Sequence, residues 1–413
     1  MNRDGSERSG SRTVVLAVIA STFFVGFGGG VVFPILPNLG ALLGISPFVV
    51  GLILSANRIT RIVANAPAGS LIDRTGTRTP FVVGLFVEGL ATMGYVVALD
   101  AGAPAAWFLA ARVLWGIGSA LVFATAYTIA ADVSTADSRG ANMGVVRGGI
   151  TLGFPVGLLL GGVVSDLYSV ATAFALAAGF AMLAGAIAYL LVPETHVDGT
   201  QENVAPWEIE CSATTLTVGL VNFGLYFAYL GALFSTLVLL VDARGLLAWG
   251  YGPQGMSGLF MGLTVAAASV FMLGGGKLSD GDSGRLPVLL AFLAVSFAGF
   301  VALALARSLP VLALACLLVG AGQGGTSGPL VALLADLTPS ERMGRATATN
   351  NVLGDFGGAL GPLVSLPIVD SLGFVPIYAA CAVVPLAAAV LLVGALSGEA
   401  GVRSAAGDGL PRE

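Results

Sequence analysis

Twelve apolar runs succeed one another along this chain, most of them about 20 residues or longer, and no other feature limits its fold so strongly. A helix needs about 20 residues to cross the roughly 30 Å hydrocarbon core of a bilayer. The runs fall at residues 13–36, 46–71, 79–99, 105–131, 141–165 and 171–192, then 213–241, 253–278, 286–306, 308–335, 344–369 and 374–396. Only 10% of the 413 residues are charged, against about 25% in soluble domains. With 56% hydrophobic residues and a mean hydropathy of +0.93, most of the surface cannot face water. The predicted fold class is an all-α membrane protein of twelve transmembrane helices. The 59 glycines suit such a fold, because Gly lets membrane helices approach closely.

The polar segments divide the chain. Residues 1–12 form a charged N-terminal tail, and the apolar stretch that follows from Thr13 is too long for a signal-peptide core of about 7–15 residues. It reads as an uncleaved first span. The longest polar connector, 193–212, carries Glu194, Asp198, Glu202, Glu208 and Glu210 and separates bundles at 13–192 and 213–396, with a tail at 397–413. Of the basic residues outside spans, twelve fall on the side of the termini and two, Arg244 and Arg307, on the other. That bias predicts a plasma-membrane protein with both termini cytoplasmic.

The halves repeat. Gly69-Ser-Leu-Ile-Asp73 returns as Gly276-Lys-Leu-Ser-Asp280, 207 positions later, and Ala131-Asp132 returns as Ala335-Asp336 after 204. Offsets so nearly equal indicate internal duplication, with both copies of each loop on one side of the membrane. Two parallel six-helix repeats place a binding site at midplane between the halves.

The loop Gly69–Arg78, GSLIDRTGTR, resembles the signature loop between helices 2 and 3 of the major facilitator superfamily, matching at Gly69, Leu71, Asp73, Arg74, Gly76 and Arg78, with Thr77 where a basic residue is frequent. Arg112-Val-Leu-Trp115-Gly116 is similar to that family's fourth-helix motif, with Trp115 in place of Gln. Gly149-x3-Gly153-Phe154-Pro155 approximates the Gly-Pro motif of its antiporters, and Gly357-x3-Gly361-Pro362 is a cleaner copy in the eleventh span. Pro193-Glu194-Thr195 resembles the end of its sixth helix. The resemblance covers the whole chain and is greatest to the twelve-helix drug and multidrug efflux members. It implies two pseudo-symmetric bundles rocking about a central cavity. It also implies a cytoplasmic latch in which Asp73, Arg74, Arg78, Asp132 and Arg139 meet Asp280, Arg285, Asp336 and Arg342, favouring the outward-facing state.

Ionisable residues within spans cost about 2.5–3.5 kcal/mol each on insertion scales and mark function by default. Here they are Arg58, Arg61, Glu88, Arg112, Arg147 and Asp355. Ser55, Arg58, Arg61 and Asn65 form a polar stripe on the second span at helical spacing. Depth alone pairs Arg58 with Glu88. Carboxylates removed from water can exchange protons near neutral pH, so Glu88 and Asp355 are the candidates for proton coupling. The structural alternative is that each neutralises an arginine and holds helices together. Arg58, Arg61 and Arg112 are candidates for contacting an anionic substrate.

The leading functional reading is proton-coupled export of small hydrophobic molecules. An importer or facilitator of organic anions keeps the same fold, and a non-transporting sensor is the alternative from another class. An ATP-driven pump is excluded because the one lysine, Lys277, precedes Leu278 rather than Ser or Thr. No hydrolase motif occurs, so no enzyme activity is expected. Three cysteines and the single His196, in the polar connector, give no disulfide framework or metal-ligand spacing. No metal or cofactor is therefore expected. The expected partners are a small-molecule substrate, a proton or other coupling ion and the lipid bilayer, without nucleic acid, and the expected state is a monomer.

Overall fold

The computed structural model describes residues 3–132, 139–195, 210–281 and 284–407. Among them are twelve helices long and apolar enough to span a membrane, and no strand. In chain order these are α1 (Arg3–Val31), α2 (Pro47–Thr75), α3 (Arg78–Asp100), α4 (Pro104–Asp132), α5 (Arg139–Leu167), α6 (Val170–Leu191), α7 (Ala213–Ala243), α8 (Pro253–Asp280), α9 (Arg285–Leu305), α10 (Leu309–Leu337), α11 (Met343–Leu372) and α12 (Phe374–Gly407).

Three boundaries differ most from the hydropathy reading. The first span ends at Val31, not near 36: a turn containing Pro34 leads into a separate short helix, Leu36–Leu42, with Pro37 in its first turn. Proline lacks the N–H needed to continue a helix and is tolerated at its start. In addition, α1 begins at Arg3 and α12 continues to Gly407. Hydropathy marks where lipid must be faced, whereas helical hydrogen bonding does not stop at the membrane surface. Within α7, Phe227–Leu233 winds as a π-helix, a local widening often found at functional positions.

The chain divides into two compact units. One comprises Met1–Pro206, Leu233–Leu263 and Ala359–Ser371; the other comprises Trp207–Ala232, Thr264–Gly358 and Leu372–Glu413. The first unit therefore holds α1–α6 together with parts of α7, α8 and α11.

Its tightest seam is α1 against α5. A Cβ on Gly153 would run into the carbonyl oxygen of Phe23, one on Gly157 into that of Phe27, and one on Gly149 would sit 2.8 Å from that of Ile19. From the other side, Gly26 faces the Ile150 carbonyl and Gly30 the Phe154 carbonyl. Glycines four apart thus let two backbones touch, the small-residue packing expected without a hydrophobic drive between lipid-facing helices. Phe24 stacks on Phe180 of α6 at 5.2 Å between ring centroids. Phe81, Leu85, Trp115, Val122, Ala126 and Ala184 fill the interior between α3, α4 and α6.

The second unit buries Leu289, Leu293, Leu330, Leu334, Ala388 and Leu392. Its α7–α11 seam repeats the device: a Cβ on Gly357 would meet the Phe223 carbonyl.

Candidate functional site

Two sets of side chains carry the chemistry: a polar cluster at the end of each unit where the repeated loops lie, and charged groups inside the spans.

In the first unit the signature loop turns on Gly76, whose φ of +81° suits glycine. Its repeat ends on Gly284 with φ +72°. Both loops run five positions from Asp to Arg, and the glycine sits one place later in the second copy. Thr77 is fully buried at the start of α3. The Glu194 carboxylate accepts from the Thr77 backbone N–H (2.8 Å), the Thr77 hydroxyl (2.9 Å) and the Arg78 backbone N–H (3.3 Å). An acid placed there satisfies helix-start donors that have no intrahelical partner and opposes the positive end of the helix dipole.

Arg78 donates to the Tyr189 carbonyl at 2.7 Å and lies over the Tyr189 ring. The Thr195 hydroxyl donates to Asp132 at 3.1 Å and lies 2.9 Å from the Thr77 hydroxyl, whose own proton goes to Glu194. Threonine at 77, where a basic residue is frequent, is thus the buried hub of the network. Asp73 and Arg74 are exposed on the last turn of α2, and Gly69 lies one turn before them. The side chain of Arg139 lies outside the described residues, as do residues 196–209 of the acidic connector, with His196, Asp198, Glu202 and Glu208.

The second unit has its own network. Arg285, opening α9, bonds Asp280 at the end of α8 and Asp336 at the end of α10 (3.0 Å), and donates to the Ser279 hydroxyl at 3.2 Å. Arg342 pairs with Glu210 at 3.3 Å, and the Glu210 backbone N–H donates to the Thr349 hydroxyl at 3.0 Å. All of these partners lie within the same unit.

Replacing Glu194 with alanine should destabilise the protein by about 0.5–2 kcal/mol, the usual effect of losing a helix N-cap. Thermal unfolding in detergent checks it. A Glu194→Ala midpoint equal to that of the unaltered chain would show that the loop holds its shape without the carboxylate.

Inside the spans, Arg112 is 1% exposed, and its hydrogen-bond partners among the described residues are carbonyl and amide oxygens. Its guanidinium donates to the backbone carbonyls of Ile53 (3.2 Å) and Leu54 (3.1 Å) and to the Asn57 side-chain oxygen (2.7 Å), all on α2, and it lies 5.7 Å from the Trp115 ring. Trp115, where Gln is the common residue, therefore supplies an aromatic face to the cation. Gly116 lets α2 close in, since a Cβ there would sit 2.7 Å from the Asn57 carbonyl.

Glu88 is also 1% exposed, and neither carboxyl oxygen has a hydrogen-bond partner among the described residues. Its Cγ packs against Gly118 of α4, where an added Cβ would lie 2.9 Å away. The pair expected with Arg58 is not formed; the cation whose charge reaches Glu88 is Arg61. Depth in a span is readable from residue number, but the side on which two helices face is not, and Glu88 points into the α3–α4 seam. Arg61 also lies over the Phe123 ring at 5.2 Å. Arg58 is half-buried, and Asp355 is half-buried on α11 in the second unit.

The polar stripe on α2 is graded: Ser55 is buried, with its hydroxyl 2.7 Å from the Gly51 carbonyl and in reach of that of Ala359, whereas Asn65 is exposed. Beside it an apolar groove of about 430 Å³ runs between α2 and α4, lined by Thr60, Val63, Pro67, Leu71, Ile117 and Leu121.

The glycine–proline segments act as packing surfaces. Gly149 and Gly153 face α1, Pro155 lies within α5, and Gly361 and Pro362 are buried on α11, where the Pro362 carbonyl abuts Gly51. Sequence reasoning missed Glu194 and Asn57 as site residues. Glu194 was visible only as part of a motif 117 residues from its partner, and Asn57 lies off the stripe that singled out Ser55 and Arg58.

The chain is similar to known transporters over nearly its full length. It is 25% identical over 380 residues, covering 88% of this chain and 93% of the relative, to an uncharacterized MFS-type transporter of Methanocaldococcus jannaschii. It is 25% identical over 366 residues, covering 86% and 89%, to the multi-drug resistance efflux pump PmrA of Streptococcus pneumoniae. Its fold matches that of a bacterial homolog of the human lysosomal transporter Spinster, in an inward-facing and occupied conformation, with a TM-score of 0.71, 17% identity, and coverage of 93% and 95%. The sequence profile of the Major Facilitator Superfamily matches residues 18–362 and 255–409, so with twelve spans and its signature loop the chain belongs to that family of membrane transporters.

Proposed function

We propose that this transporter exports small hydrophobic molecules by alternating access, driven by protons entering from outside, and that it sits in the cell membrane with both termini cytoplasmic. The observation that carries the reading is Glu88, a carboxyl group enclosed in a span with neither oxygen hydrogen-bonded among the described residues and Arg61 as its electrostatic partner. A carboxyl group kept there at such cost marks a proton site. In this reading Glu88 takes the coupling proton, Arg61 senses its charge, and Arg58 and Arg112 hold α2 in register. Asp355 is a second proton candidate in the other unit. The apolar groove beside Arg61 supports a hydrophobic substrate, as does the efflux pump among the relatives. Asp73, Arg74, Arg78, Asp132 and Arg139 latch against Asp280, Arg285, Asp336 and Arg342 when the cytoplasmic side closes.

The test uses proteoliposomes with an internal pH dye and a panel of lipophilic cations and organic anions. Substrate-dependent proton flux is expected with the cations, and Glu88→Gln should reduce it at least about tenfold while substrate binding persists. If Asp355→Asn abolishes flux and Glu88→Gln does not, coupling belongs to α11. Anion movement without proton flux, stopped by Arg58→Gln, would replace export with facilitated anion transport.

A further inference from the structure

We infer that Asp166, in the last turn of α5, is the latch of the outer gate, an inference that rests on the alternating-access reading above. Asp166 lies at the end of the first unit opposite the signature loop. Its carboxylate accepts from the Gly255 backbone N–H at 2.6 Å and from the backbone of Gly252. These residues flank the start of α8, where Pro253 has no N–H to offer and the first turn leaves donors without intrahelical partners. The carboxylate caps that turn from another helix, 89 residues away in sequence.

The local sequence is fitted to this contact. A Cβ on Gly252 would lie 3.0 Å from one carboxylate oxygen of Asp166, and a Cβ on Gly255 would lie 2.5 Å from the other. One and two turns further in, the two backbones touch: Gly162 faces the Gln254 carbonyl, and a Cβ on Gly258 would sit 2.5 Å from the Leu158 carbonyl. The chain enters α8 through a turn with positive φ at Trp249 (+55°) and Gly250 (+79°). Positive φ is uncommon for a bulky residue such as Trp.

Two properties make this a latch and not a permanent clamp. The bond is charge-assisted and short, hence strong while formed. Asp166 is only half-buried, so when α5 and α8 separate, water can take over both the carboxylate and the exposed N–H groups. The glycine faces below carry no side chain that must unlock. Asp166 thus contributes a discrete bond whose loss favours the outward-open arrangement. It does so at the opposite end of the unit from the Glu194 cap.

Spin labels on Ala103→Cys and Leu247→Cys, both exposed in loops at this end, report the gate in a full-length chain whose Cys211, Cys316 and Cys381 are replaced by alanine, in lipid nanodiscs. The unaltered gate should show a short and a long separation whose ratio responds to a lipophilic cation. Asp166→Ala should raise the long-to-short ratio by about tenfold, the weight of one charge-assisted bond. Asp166→Asn keeps the volume and one acceptor and should raise it less. A responsive wild type with both variants unchanged would overturn the latch and leave transport standing. A wild type with one fixed separation under all conditions would overturn alternating access, and the latch with it.

Discussion

A Gly153→Leu chain is expected not to accumulate as a folded protein, whereas Gly148→Ala on the same helix should be neutral. The difference lies in what each position faces. At Gly153 even a single Cβ would enter the space of the Phe23 carbonyl and stand 3.0 Å from the Phe27 nitrogen, so α1 and α5 must separate to admit a side chain. Overpacking of a rigid site costs about 1–3 kcal/mol when side chains can shift. Here the obstacle is backbone, and the penalty extends to every glycine contact along the seam. At Gly148 nothing lies within 4 Å, and alanine is the better helix former by about 1 kcal/mol. Fluorescence-detected size-exclusion of tagged variants separates the outcomes. A monodisperse Gly153→Leu peak with an unchanged melting temperature would mean that α1 and α5 do not meet as described.

Arg112→Lys should reduce transport to below about a tenth and lower stability by about 2–4 kcal/mol. The substitution keeps the charge, so any loss belongs to geometry. The planar guanidinium reaches two carbonyls and one amide oxygen on α2 at once, from beside the Trp115 ring. An ammonium on a flexible stem cannot reproduce that fork, and hydrogen bonds from charged groups contribute about 1.5–3 kcal/mol each. Melting curves and substrate flux on the same preparation check both parts. Stability lost with flux retained would make Arg112 a structural strut. Wild-type behaviour in both would show that the guanidinium contacts carry no weight.

The membrane class, the number of spans and the repeated loops were legible in the sequence, because lipid imposes a length and a polarity on each helix separately. Gly76 was legible too, as a glycine of the signature loop. The α1–α5 seam was half legible: Gly149 and Gly153 stood out as a motif, but their spacing does not say which helix they face. The Arg58–Glu88 pair failed for the same reason, since residue number gives depth and not azimuth.

Hydropathy, charge bias and repeat offset therefore determined the helices and their order, each being a local demand of lipid or water on the chain. Only the tertiary structure decided that Glu88 packs against Gly118, that Arg112 is held by backbone carbonyls and the Asn57 side chain, and that Glu194 and Asp166 cap helices far from them in sequence. Those contacts depend on how each helix is rotated about its own axis. That rotation is set by backbone-to-backbone packing at glycines and by the search of buried polar groups for partners, neither of which any single segment encodes alone.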